Sequence, residues 1–353
     1  MPFSEETAGR YQKAVLKEIA SHVDSSSDTS VDSIYFGGGT PSLIPEENIE
    51  KLLEACRGRF SVVESCEISL EANPGTLTGA KIAAFRRSGI NRVSIGAQSF
   101  DRQELSIIRR RHTPEMIKQA ISHLREGGFT NLNLDLMLGL PGQTKESWEK
   151  NLAAVEQLSI PHVSVYMLDL DDGCPLQATV KSGKLLLPEE DLISDLYLET
   201  IEYFSRCGYG HYEISNFALP GFQCAHNLKY WQREPFLGFG LGSHSFDGHS
   251  RFANFAQMNV YCSAVESRNC ATEWRESLSP SQSLSESLFL GLRLAKGVDW
   301  KKLQTLYGRE CLGRYESGMR DFSQKGLVEW GDPMVRLTPS GMLLSNEVFQ
   351  LFI

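Results

Sequence analysis

No cysteine precedes Cys56, and none of the eight cysteines in this 353-residue chain (56, 66, 174, 207, 224, 262, 270 and 311) forms a C-x2-C pair with another. That scatter excludes a zinc ribbon and a disulfide framework, and it reads as reduced, partly buried thiols of a reducing compartment. A run of about 18 apolar residues is also missing, so no membrane-spanning helix is expected. The first residues, MPFSEETAGRYQKAV, lack the basic-then-apolar pattern of a secretory signal, which leaves the cytoplasm as the default location. Basic charge is scarce: Lys plus Arg number 35 against 44 Asp plus Glu, for a net charge of −9. The one basic run, Arg109-Arg110-Arg111, is too short to make a nucleic-acid face, so nucleic acid is not an expected partner. Solenoid-type repeats are absent as well.

The chain does carry three adjacent glycines straight after an apolar strand pattern, in Ile34-Tyr35-Phe36-Gly37-Gly38-Gly39-Thr40-Pro41-Ser42. Bare backbone at a strand end lets a ligand reach main-chain N–H and C=O groups. No Gly-Lys-Ser/Thr follows, so this is not a phosphate-binding P-loop. β-rich runs at 33–36, 67–70, 92–95, 131–137 and 162–168 start about 25 to 40 residues apart, with helical patterns between them. Ile49, Leu52, Leu53 and Cys56 share one helical face. Asp101 with Glu104 reads as a capping box, and Thr113-Pro114 opens a helix that Gly127-Gly128 closes. This is βα-unit spacing, the signature of a parallel sheet or (β/α) barrel, whose ligands lie at the C-terminal strand ends.

Polar groups recur at those ends. Gly38 to Thr40, Glu71, Gln98 and Asp135 follow or terminate four successive strands. Glu71 and Gln98 could instead cap the next helix. Asp135 stands between leucines, where an acid is costly to bury without a partner or ligand.

Past residue 170 the alternation weakens. Residues 188–204 read as a helix, followed by the polar-aromatic stretches YEISNF (212–217) and HNLKYW (226–231). Gly238, Gly240 and Gly242 alternate; on a strand they would clear one face for a flat ligand or another backbone. The Ser-rich 279–287 reads as a linker into a small helical, winged-helix-like module with a hairpin near 326–330.

Taken together, GGGTPSL (37–43), EANPGT (71–76), SIGAQSF (94–100), NLDLMLGLPGQT (133–144), YEISNFA (212–218) and HNLKYW (226–231) resemble the HemW-type heme chaperones. These belong to the radical S-adenosylmethionine (SAM) superfamily and are related to oxygen-independent coproporphyrinogen dehydrogenase. The resemblance runs from about residue 30 nearly to the end. It implies an α/β fold, an incomplete partial (β/α)6 barrel lacking its first strand, with the C-terminal helical module attached. The expected divisions are 1–172, 173–278 and 279–353. It implies that Gly38, Gly39 and Thr40 hold the methionyl end of SAM, and that Glu71, Gln98, Arg110 and Asp135 hold the rest. Carboxylates suit an ammonium and ribose hydroxyls, and Arg110 suits a carboxylate. It also implies heme as ligand and heme-accepting, respiratory-type proteins as partners. His226 is the candidate iron ligand, with Asn227, Tyr230 and Trp231 in the same segment and Cys224 and His244 as secondary candidates.

One departure accompanies the resemblance. The family holds a 4Fe-4S cluster on a C-x3-C-x2-C motif after the first barrel strand, and that motif is absent from these residues. The expectation is that this chain neither holds the cluster nor cleaves SAM. Two explanations stand: a longer protein whose start lies upstream, which would cover the edge of the next strand, or a cluster-less heme carrier. Two other functions stay open beside heme carriage. One is an oxygen-independent coproporphyrinogen III oxidase-like activity with an upstream cluster segment; the other is an interaction module on a decayed barrel.

Overall fold

The computed structural model describes residues 5–22, 30–170 and 173–353. In chain order, α1 (Glu5–Ser21) precedes β1 (Ser30–Phe36), α2 (Glu46–Arg59), β2 (Ser61–Ala72), α3 (Gly79–Ser88) and β3 (Arg92–Gln98). There follow α4 (Arg102–Ile107), α5 (Pro114–Glu126), β4 (Asn131–Leu138), α6 (Lys145–Gln157) and β5 (His162–Met167). β1 to β5 lie side by side in chain order, all parallel, as βα repetition requires. α7 (Pro175–Lys181) and α8 (Glu190–Arg206) lead to β6 (Gly210–Glu213) and β7 (Asn216–Ala218). Only Ile214 and Ser215 join these two strands, too short a connection for a crossover, so they form a hairpin. β7, not β6, pairs with β5 and runs antiparallel to it, a departure from an all-parallel sheet, and β6 lies outside β7. The seven strands make a curled half-barrel with β1 at one edge.

The sheet is apolar outside and polar inside because its strands alternate. On β4, Leu132, Leu134, Leu136 and Leu138 are all fully buried against the helix layer, where Ile117, Ile121, Leu124, Trp148, Leu152 and Leu196 meet them in one core. Each such side chain contributes about 1.5–3 kcal/mol through burial. Asn131, Asn133 and Asp135 take the opposite face.

A second, smaller lobe follows. It holds α9 (Ala225–Trp231), β8 (His244–Phe246), β9 (Ser250–Asn254), α10 (Met258–Arg268) and β10 (Thr272–Ser277), with β8–β10 forming an antiparallel sheet. α1 buries Ala14, Val15 and Ile19 against Tyr261 and Val265 of this lobe. Buried Glu18 accepts hydrogen bonds from Tyr261, Asn254 and the Gly240 N–H. The last part comprises α11 (Pro280–Gly291), β11 (Val298–Asp299), α12 (Trp300–Tyr307), α13 (Arg309–Gln324), β12 (Val328–Trp330), β13 (Met334–Leu337), α14 (Pro339–Leu343) and α15 (Ser345–Phe349). Helices α11, α12 and α13 with the small β11–β13–β12 sheet fit the expected winged-helix-like module, and α14 and α15 follow it.

Three local expectations fail. The Ser-rich 279–287 is not a linker. Ser279 caps α11 in a capping box with Gln282, and Leu284 and Leu288, one turn apart, are fully buried. The alternating glycines form no strand: Gly240 and Gly242 have φ of +100° and +62°, and the segment is a loop over α1. A Cβ at Gly240 would lie 2.6 Å from the Tyr11 hydroxyl, so the glycine clears room for α1. Asp101 caps α4, but Glu104 does not complete the box; it turns inward to Ser99, Gln143 and Ser147.

Candidate functional site

The polar faces of β2 to β5 line a cavity of about 40 Å³ inside the half-barrel. Asn133 organises its floor. Its Nδ2 donates to Ser94 Oγ (2.7 Å), Asp135 Oδ1 (2.8 Å) and Ser164 Oγ (3.0 Å), and its Oδ1 meets His162 Nδ1 at 2.6 Å. Ser94 Oγ donates to Asp135 Oδ2 at 3.0 Å. Burial pushes the Asp135 carboxyl above its ordinary range, although the serines and Asn133 hold the charged form. Burial likewise raises Glu71, and the nearby Asp135 charge adds to that. Two carboxylates facing one cavity favour a ligand that brings hydrogen-bond donors or positive charge.

The glycine turn closes one wall. Gly38 and Gly39 have φ of +78° and +66°, and nothing lies within 4 Å of a Cβ built on either, so the space beside them is open. Gly37 is needed for another reason: a Cβ there would meet Tyr35 Cε1 at 2.7 Å and Glu71 Oε1 at 3.0 Å. The Gly38 N–H donates to Glu71 Oε2 at 3.2 Å, and the Tyr35 hydroxyl donates to Glu71 Oε1 at 3.0 Å. Thr40 precedes the short turn Pro41–Leu43 without a capping bond. Ser42 then pins this turn to the next, since its hydroxyl lies 2.6 Å from Thr76 Oγ1 and accepts from the Asn73 N–H.

Neither Glu71 nor Gln98 caps a helix. Gln98 ends β3 in the left-handed region, φ +66°, where the register with β4 slips between Ile95 and Gln98. A bulge of this kind re-aims a side chain at a strand end. Arg110 stands apart: it is exposed on the turn after α4 and shares no hydrogen bond with the other candidates. Glu71 and Asp135 meet at the cavity, with Gly38 bonded to Glu71; Arg110 does not join them.

α9 seats the HNLKYW segment on β1 and β2. Cys224 offers this helix no side-chain cap. Glu67 of β2 supplies one, accepting from the Ala225 N–H (3.0 Å), the His226 N–H (3.2 Å) and the Cys224 thiol (3.5 Å). Both ring nitrogens of His226 are engaged: Nδ1 lies 3.0 Å from Ser33 Oγ and Nε2 lies 2.8 Å from the Tyr230 hydroxyl. The ring stacks on Tyr35 with centroids 5.1 Å apart and planes 20° apart. Burial pushes His226 down to about 4, so the ring is neutral. Asn227 and Cys224 line the cavity, and burial raises the Cys224 thiol to about 11, which keeps it protonated. Trp231 faces elsewhere, under the Arg293 guanidinium at 4.4 Å, with its indole N–H buried and unpartnered. His244 is exposed at the head of β8 beside Trp274, on the other sheet.

Several cavity residues escape a strand-end search: Tyr35, Arg92, Ser94, Asn133, His162, Ser164 and Tyr166. Their signal is period-two polarity within the strands, as in Asn131/Asn133/Asp135 and His162/Ser164/Tyr166. Tyr212, whose hydroxyl bonds His162 Nε2 at 2.7 Å, lies inside the quoted YEISNFA motif. Among the described residues no three His, Cys, Asp or Glu side chains converge to hold a metal ion. No described helix is long and apolar enough to cross a membrane.

Comparison with known proteins places this geometry. Residues 3–155 match the Radical SAM superfamily, and residues 278–344 match the HemN C-terminal domain. The chain is 33% identical to "Heme chaperone HemW" of Bacillus subtilis over 97% of its own length and 91% of the relative's. It is 36% identical to the protein of that name from Synechocystis, over 84% of this chain and 72% of that one. It is 35% identical to the bovine mitochondrial "Radical S-adenosyl methionine domain-containing protein 1", over 84% of this chain and 70% of that one. The fold superposes on the solved Escherichia coli coproporphyrinogen III oxidase (HemN), described as a radical SAM enzyme. The TM-score is 0.84, with 23% identity, over 99% of this chain and 84% of that one. The half-barrel with its polar strand ends, the HNLKYW helix and the C-terminal module thus belong to one lineage: this chain is a member of the HemW family of the radical SAM superfamily.

Proposed function

We propose that this protein is a heme chaperone, which binds heme beside the half-barrel and passes it to acceptor proteins in the cytoplasm. The observation that carries the reading is the seat of α9. The family's HNLKYW segment is capped by Glu67 and packed onto the strand that ends in the glycine turn. His226 is the candidate ligand to the heme iron. Its neutral state suits it, and its two hydrogen bonds to Ser33 and Tyr230 make ligation conditional on breaking one of them. Tyr230 would then be free to face the porphyrin. Asn227 lines the approach, while Trp231 anchors the helix against Arg293 instead of packing on the heme. The protonated Cys224 and the distant His244 are the weaker candidates.

The strand-end cavity suits SAM, which when bound offers an ammonium, a carboxylate and ribose hydroxyls. Glu71 and Asp135 would accept from the donors, and the turn at Gly38, Gly39 and Thr40 would face the methionyl end. Gln98, re-aimed by the bulge, would lie along the nucleoside. Arg110 would reach the carboxylate only by folding in from solvent. The described residues do not fit a 4Fe-4S cluster, since no three His, Cys, Asp or Glu side chains among them converge. We propose three divisions of the chain: 1–172 as the radical SAM-type part of the barrel, 173–278 as its extension with the HNLKYW segment, and 279–353 as the C-terminal helical module.

The second reading is a coproporphyrinogen III oxidase-like enzyme, a protein whose fold this chain shares. Hemin titration tests the choice. The wild-type protein should give a saturable Soret shift, and His226→Ala should weaken binding at least tenfold. An unshifted Soret band in the wild type removes the chaperone reading, and an unchanged titration in the variant removes His226 as ligand.

A further inference from the structure

We propose that Tyr35 is a positioning residue that ties occupancy of the strand-end cavity to the release of the His226 ring. This rests on the heme reading of His226 given above. A continuous set of contacts joins the two places. The Gly38 N–H and the Tyr35 hydroxyl donate to the two oxygens of one carboxylate, Glu71 (3.2 and 3.0 Å). The Tyr35 ring in turn lies flat on His226, whose nitrogens are held by Ser33 and Tyr230.

The chain of contacts has little slack. The space beside Gly37 is so tight that even a methyl group there would meet both Tyr35 (2.7 Å) and Glu71 (3.0 Å). A ligand that brings an ammonium or hydroxyl to Glu71 competes for the oxygen that Tyr35 uses. The phenol, deprived of its acceptor, must turn. On one side it is blocked at Gly37; on the other it rests on the imidazole. Rotation of Tyr35 therefore disturbs the stack and the Ser33 and Tyr230 bonds that occupy His226. Occupancy of the cavity frees the ring, and by linkage heme on His226 strengthens ligand binding by the same factor.

Tyr35→Phe tests this, because it removes the link to Glu71 and keeps the stacking ring. Hemin is titrated with and without saturating SAM. The wild type should bind heme at least about fivefold more tightly with SAM, the lower range of ordinary coupling. Tyr35→Phe should bind heme with no SAM dependence. A wild type indifferent to SAM, or a variant that keeps the full effect, overturns the proposal. Histidine-ring NMR signals, with His226 assigned through His226→Ala, read the same event without heme. SAM should shift the His226 signals in the wild type and leave them in place in Tyr35→Phe, and unmoved wild-type signals overturn the coupling. If hemin gives no Soret shift, the heme reading fails, while the NMR result still decides the coupling.

Discussion

His211 lies flat on Phe217, ring centroids 4.4 Å apart and planes 12° apart, with Nε2 3.1 Å from the Ile214 carbonyl. Burial pushes its pKa down to about 4, below the ordinary 6.5. The unfolded chain therefore takes up this proton first on acidification. The stability gained from a neutral His211 is whole above pH 6.5 and is lost as the pH falls toward 4, by up to about 3 kcal/mol. Glu18 and Glu71, whose pKa values burial raises, pull the other way, so the test is a comparison of two proteins. His211→Phe keeps the stack and removes the proton site. Its urea midpoint should fall less than that of the wild type between pH 7 and 5; parallel curves would show that His211 does not titrate this way. At this scale the site was half legible. Asp135 and Glu71 declare themselves as acids at strand ends. Asn133, Ser94 and Ser164 do not, because small polar residues at period two look the same whether they face solvent or a lumen.

A seven-residue helix gains little from its own hydrogen bonds. α9 exists because tertiary contacts fix it: the Glu67 cap, the Lys229 ion pairs to Asp32 (2.8 Å) and Glu234 (2.9 Å), and the Tyr35–His226 stack. Glu67→Ala should destabilise the protein by roughly 1–2 kcal/mol, the ordinary worth of a helix cap. It should also speed amide hydrogen exchange at Ala225 and His226. Unchanged exchange at both amides would mean the helix stands without the cap. Reading the sequence gives no hint of this arrangement, since Glu67 is 158 positions from Ala225. The same nonlocality explains the two misread stretches. The serines of α11 have modest helix propensity, but Leu284 and Leu288 bury together and override it. The loop glycines look like a strand face by spacing, yet their backbone is set by α1 lying against them.

The βα repeat and the ordered family motifs made the half-barrel legible as a whole; the joints between its parts were not. One joint is Glu286 of α11, which takes Arg233 at 3.0 Å and Arg251 at 2.5 Å, from just beyond α9 and from β9. Removing it leaves two guanidinium groups without their shared acceptor. Glu286→Ala should lower stability by roughly 1.5–3 kcal/mol, the range for hydrogen bonds to charged groups, as measured by chemical denaturation. A change below about 0.5 kcal/mol would mark the cluster as a solvated surface pair.

The outer side of β6 carries a further joint. Glu213 bridges to Leu294, the Ile214 N–H donates to the Arg293 carbonyl (3.1 Å), and the Ala295 N–H donates to the Tyr212 carbonyl (3.0 Å). The segment following α11 thus runs as a short cover strip along the far margin of the half-barrel. The HemN C-terminal match begins at residue 278, but the half-barrel's edge pairing runs past that point. A chain cut at that point would display raw backbone donors and acceptors at its margin, an invitation to self-association. The C-terminal module is thus no detached accessory: its 293–295 strip supplies the backbone partners that finish the half-barrel's edge.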